Sequence, residues 1–195
     1  MTSTLHRALL VFVALSCSMI SLTATAVPIT YIGSFAGTGT VNGNPFDGNV
    51  QFIFNSDTTL VYDNGSGLFL TPYGTASFYI QGIGAGEFTD LFQVFDYQYN
   101  AVTGFFDKQL VTDIVDLSNP VFAGYDLKSD IGPLTTDYFG VHTGLALGST
   151  LGEVILDLSG TPTFTATTTP EPASVLLFGS SLAGIAAMLR RKLGL

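Results

Sequence analysis

The chain is poor in the residues on which most protein chemistry depends. Its 195 residues include one cysteine, no tryptophan, two histidines and six lysines or arginines. The cysteine, Cys17, falls within a segment expected to leave as a secretory leader. The mature chain then has no thiol, which excludes disulfide staples, thiolate catalysis and cysteine metal centres. His142 is the one histidine of the body; alone in the strand-like run 138–143, it reads as a structural or surface residue rather than a base. Between residues 27 and 169 two cations, Lys108 and Lys128, stand against fourteen carboxylates, a formal charge of −12. Such a body repels nucleic acid and anionic membrane surfaces and has no basic stripe to bind either. No nucleophile elbow, zinc-protease helix motif, phosphate-cradling loop or Cys/His cluster occurs. The expectation is a domain that is not an enzyme and needs no cofactor or metal.

What the body does contain is glycine and aromatics: 19 Gly, 14 Phe and 8 Tyr over residues 27–169. That is a strand-and-turn composition. Apolar residues alternate at Val50, Phe52 and Phe54, at Ala76, Phe78 and Ile80, and at Val154, Leu156 and Leu158. Threonines occupy every second position from Thr161 to Thr167. Period two with one apolar face is the pattern of an antiparallel, half-solvated sheet. Turn chemistry punctuates these runs at Asn42-Gly43-Asn44-Pro45, Asp47-Gly48-Asn49, Asp63 to Gly67, Gly82 to Gly86 and Ser118-Asn119-Pro120. The spacing predicts one all-β domain, an antiparallel sandwich or jelly roll of about nine to eleven strands. Its stability must come from aromatic and aliphatic burial.

The two ends differ from the body. His6 and Arg7, the apolar stretch from Ala8 to Leu15, and the small-x-small triplet Ala24-Thr25-Ala26 read as a signal peptide cleaved before Val27. A lipoprotein box at Cys17 fits poorly, because Ala14 stands where leucine is expected. At the other end Pro170-Glu171-Pro172 precedes an apolar run, Ala173 to Leu189, and then Arg190-Arg191-Lys192. As a helix the run spans about 25 Å, the short limit for crossing a bilayer core of about 30 Å. Four Gly or Ser residues at positions 179–181 and 184 make its insertion marginal. Three adjacent cations directly after it favour a stop-transfer element with the body outside.

This three-part tail resembles the PEP-CTERM sorting domain of exported proteins of Gram-negative bacteria, with Thr169 in place of the valine that often precedes the motif. The resemblance implies that a membrane-embedded exosortase recognises Pro170, Glu171 and Pro172 and cleaves nearby. The body would pass through a transient inner-membrane stage to the cell surface or extracellular matrix. Arg190, Arg191 and Lys192 would set topology. The expected organisation is a signal peptide (1–26), a β ectodomain (27–166), a linker with the Pro-Glu-Pro motif (167–172), a transmembrane sorting helix (173–189) and a basic cytoplasmic tail (190–195). The resemblance is confined to the tail and implies nothing about the fold or activity of residues 27–167.

Within the body, the acids read first as solubility and turn chemistry, since twelve of the fourteen are aspartate and many adjoin Gly or Asn. Calcium would need six to eight oxygens; the groups to inspect are Asp57, Asp63 and Asn64, and Asp126, Asp130 and Asp137. Glu87 and Glu153 are the body's only glutamates and the pair a glycosidase could use. Tyr97 and Tyr99 on one strand face, with Tyr62, Tyr73 and Tyr125 beside turns, are candidate stacking platforms for exopolysaccharide. The sequence thus points to an exported structural or adhesive protein, with a polysaccharide-binding module as the alternative.

Overall fold

The computed structural model describes residues 27–169. The signal segment with Ala24 and Ala26, the motif Pro170-Glu171-Pro172, the apolar run 173–189 and the cations Arg190, Arg191 and Lys192 lie outside the described residues. Among the described residues no helix is long and apolar enough to cross a membrane.

Twelve strands make up the domain: β1 (Pro28–Val41), β2 (Asn44–Asp57), β3 (Tyr62–Asp63), β4 (Leu68–Leu70), β5 (Gly74–Ile80), β6 (Gly84–Tyr97), β7 (Val102–Asp107), β8 (Thr112–Ser118), β9 (Ile131–Thr135), β10 (Asp137–Val141), β11 (Ala146–Leu147) and β12 (Val154–Thr168). Three short 3-10 turns, Thr58–Leu60, Gln98–Asn100 and Pro120–Gly124, complete it. All pairings are antiparallel. The alternating runs sit as their period requires. Val50, Phe52 and Phe54 of β2 face the interior and pair with Ile80, Phe78 and Ala76 of β5, all buried. In β12 the threonines alternate with buried Pro162, Phe164 and Ala166.

The β1–β2 hairpin turns on two residues, Asn42 at φ 50° and Gly43 at φ 76°. Both lie in the left-handed region, as the tight turn that matches the strands' right-handed twist demands. Asp47-Gly48-Asn49, by contrast, is not a turn but the middle of β2. Gly48 faces Gly37 across the ladder, and its missing side chain makes room for Gln81, whose Oε1 accepts from the Asn49 amide at 3.2 Å.

The expected sandwich or jelly roll of about nine to eleven strands is corrected to twelve strands in a single sheet rolled until its ends nearly meet. Strand order runs β10-β8-β7-β6-β5-β2-β1-β12, with β9 and β11 on the far side of β12. Residues 131–141 close the roll: β9 pairs with β12 and β10 pairs with β8, with only Thr136 between them. Thr136 is buried, and its amide and Oγ1 both donate to the Pro162 carbonyl, at 2.9 and 3.2 Å. Tyr138 reaches across the same seam and donates to the Ser159 carbonyl at 2.9 Å. Rolling is possible because the ladders shift register, as between Ser34 and Ala36 on β1 and between Phe105 and Phe106 on β7. Such bulges bend and twist a sheet locally. Pro162, which has no N–H to give, stands in the unpaired stretch of β12 between Ser159 and Thr163.

Opposite walls meet in an aromatic core. Phe52 on β2 packs edge-on against Phe88 of β6 and Phe105 of β7, with ring centroids 5.4 and 5.7 Å apart. Phe105 reaches Phe164 of β12 at 6.5 Å, and Phe164 packs against Phe122 at 5.6 Å. Each fully buried phenylalanine contributes about 2–3 kcal/mol by removal from water. That burial takes the place of covalent staples.

Candidate functional site

The rolled sheet has an inner face filled by the core and an outer face that is polar over much of its area. One stretch of the outer face departs from this. A groove of about 360 Å³ crosses β4, β6, β7 and β8, lined by Leu68, Leu70, Tyr73, Gln93, Phe95, Tyr97, Phe106 and Asp113. The pairing explains how they converge. Leu70, Phe95 and Gly104 lie in one cross-strand row, and Leu68, Tyr97 and Val102 in the next. Gln93, Phe106 and Asp113 form a third. Val94 and Asp96, of opposite parity on β6, point inward and are buried.

Gly104 is where a side chain is forbidden: a Cβ there would stand 2.7 Å from the Phe95 ring and 2.4 Å from the Val115 carbonyl oxygen. The Phe95 ring therefore reaches into the space that a side chain at position 104 would fill. Tyr73, from the β4–β5 connection, closes one side, with its ring 6.4 Å from Phe106 and Lys108 Nζ 4.9 Å from its centroid. Gln93 is held in place by donating to the Thr71 carbonyl at 2.5 Å, with the Tyr62 hydroxyl at 3.5 Å. Tyr97 and Tyr99 have rings 6.2 Å apart, and Tyr99 is 86% exposed.

At the β8 side two carboxylates share the outer face. Asp113 lines the groove, and Asp116 sits opposite Gly104 and beside Gly140. Asp116 Oδ1 is shielded from solvent and has no hydrogen-bond partner. Partial burial, then the Asp113 charge, pushes the Asp116 carboxyl up to about 6, while His142 pulls in the opposite direction. Burial likewise raises Asp113, again opposed by His142. The imidazole of His142, which follows β10 directly, has Nδ1 2.5 Å from the Asp113 carbonyl oxygen. A second acid of interest is internal. Asp96 is fully buried with neither carboxylate oxygen bonded, and burial, then the Asp126 charge, pushes it up to about 8.

The residues singled out in the sequence divide. Tyr73 and Tyr97 line the groove, Tyr62 touches its Gln93, and Tyr99 extends it. Tyr125 is corrected: it is buried in the core against Phe122 and Phe164 and donates to the Ser129 carbonyl. The proposed calcium groups serve as local acceptors instead. Asp57 accepts from the Thr59 amide and hydroxyl, Asp63 from the Gly65 amide, Asn64 from the Ser66 amide, Asp126 from the Lys128 amide, and Asp130 from Thr168. Asp137 is exposed at the start of β10. Among the described residues no three His, Cys, Asp or Glu side chains are grouped to hold a metal ion. Glu87 lies exposed on β6 and Glu153 exposed before β12; neither lines the groove. Phe95, Phe106, Gln93 and Asp113 were not singled out. Their signal was adjacent apolar pairs, Val94-Phe95 and Phe105-Phe106, which make both faces of a strand apolar where a half-solvated strand needs only one.

The fold and groove define an all-β antiparallel domain with an aromatic, acid-flanked outer surface. Residues 168–192 match the PEP-CTERM protein-sorting motif. No curated protein and no solved structure matches the chain. The motif marks an exported protein that is anchored transiently at the membrane and processed by an exosortase. The match begins at Thr168, the last residue of β12, and takes in Pro170, Glu171, Pro172, Arg190, Arg191 and Lys192.

Proposed function

We propose that this is a non-enzymatic structural or adhesive domain of the bacterial surface or extracellular matrix, delivered there by its sorting signal. The observation that carries the reading is the place of the sorting motif, whose match begins at Thr168, the last residue of β12. A β domain joined directly to a removable sorting signal is the organisation of cargo. Its glutamates stand apart from the groove and its one imidazole is engaged with a main-chain carbonyl, which suits a scaffold better than a catalyst. Intact-mass measurement of the mature protein from its native host tests the reading. The expected species begins near Val27 and lacks the residues after the motif; a chain intact through Leu195 refutes processing.

A second reading, binding of exopolysaccharide, is favoured by the groove itself. Aromatic faces beside polar acceptors are the chemistry that stacks sugar rings, each stacked ring burying a large rigid surface. Tyr97→Ala should abolish retardation in a gel containing the host's exopolysaccharide. Equal mobility of wild type with and without the polymer refutes this reading.

A further inference from the structure

We propose that the outer groove selects glycans bearing free amino groups, with the sugar's apolar face against Tyr97 and Phe106 and its ammonium against Asp113. This inference rests on the polysaccharide-binding reading and specifies its ligand. The groove lining carries one carboxylate and no lysine or arginine. Of its polar lining residues, Gln93 already has its amide nitrogen committed to Thr71 and Tyr62. Asp113 brings a carboxylate to the lining. Asp116, behind it on the same outer face with its Oδ1 shielded from solvent, adds negative potential that His142 partly offsets. Among the described residues, the lysine beside the lining is Lys108, which stands over the Tyr73 ring.

A neutral sugar brings no cation to Asp113, and a uronic acid adds repulsion. An amino sugar supplies both halves, apolar ring faces for Phe95, Tyr97 and Phe106 and an ammonium for Asp113. A basic peptide has the same charge but fits less well. The groove lies on the face of paired strands, where β4, β6, β7 and β8 have spent their main-chain groups on each other. An extended peptide would find no free edge to pair with.

The test is calorimetric titration of the full-length protein in a detergent without a sugar headgroup. Its probes are hexaglucosamine, its fully N-acetylated counterpart, cellohexaose, oligogalacturonate and hexalysine. Hexaglucosamine should bind at least about tenfold more tightly than the acetylated hexamer, the factor one charge-assisted hydrogen bond supplies. Asp113→Asn should erase that preference, with Asp113→Ser as the second arm if the first variant fails to fold. Tyr97→Ala should weaken both hexamers. Equal affinity for the two overturns the amino-sugar inference while leaving polysaccharide binding standing. Tighter binding of oligogalacturonate, or hexalysine binding as well as hexaglucosamine, also overturns it. No saturable binding of any glycan sinks both readings together.

Discussion

Replacing Asp96 by asparagine removes a titrating group from the interior while keeping its shape. Asp96 is fully buried, neither of its oxygens is bonded, and its carboxyl is pushed up to about 8 from an ordinary 3.8. Because the folded-state value is the higher one, the folded protein binds the extra proton between these limits. Stability is therefore full below the unfolded value, falls as pH rises through the window, and levels off above about 8. At about 1.4 kcal/mol per pH unit, keeping Asp96 protonated at neutral pH costs about 4 kcal/mol relative to a group that never ionises. Asparagine brings its own amide to an unpartnered place, at about 1–3 kcal/mol. The slope is thus a cleaner readout than the absolute gain. Chemical denaturation at about pH 5 and about pH 7.5 should show wild type losing up to about 3 kcal/mol more than Asp96→Asn between the two. Asp116, Asp107 and Asp113 are also raised by burial, but they remain in both proteins and cancel in the difference. Parallel pH dependences for the two proteins would refute the reasoning.

Three further perturbations probe the fold. Phe105→Ala opens the contact between opposite walls, where Phe105 meets Phe52 and Phe164; it should cost about 3–5 kcal/mol in the same denaturation assay. Gly43→Ala meets no neighbouring atom but must hold φ 76°, so the loss of about 1–2 kcal/mol it should show is purely conformational. Asp130→Ala removes the acceptor for both the amide and hydroxyl of Thr168. Those bonds hold the Asp130 carboxyl below its ordinary value. Limited proteolysis should cut the variant near residue 168 faster than wild type at neutral pH. The difference should shrink in acid, as protonation of Asp130 weakens the wild-type clasp.

The strands at Val50 to Phe54, Ala76 to Ile80 and Val154 to Leu158 were legible because each buries one face, so the period alone assigns inside and outside. The turns at Asn42-Gly43 and Asp63 to Gly67 were legible because their geometry needs residues that tolerate positive φ. Closure was not. Whether a sheet splits in two or rolls depends on bulges, and nothing in the order Ser34-Phe35-Ala36 announces a register shift. Asp47-Gly48-Asn49 misled because a glycine serves a close approach as well as it serves a turn. Tyr125 misled because a tyrosine whose hydroxyl finds a local carbonyl can be buried whole. The groove stayed hidden because its three rows come from four strands whose neighbours are known only once paired.

The two ends of the described chain part company with the fold at one pole. Ile29 pairs with Thr168, and the Thr169 amide donates to the Pro28 carbonyl at 2.8 Å. The Asn42-Gly43 hairpin caps the opposite pole, where Val41 faces Val154. A cut beyond Thr169 therefore severs no rung of the β1–β12 ladder and falls at the pole away from the hairpin.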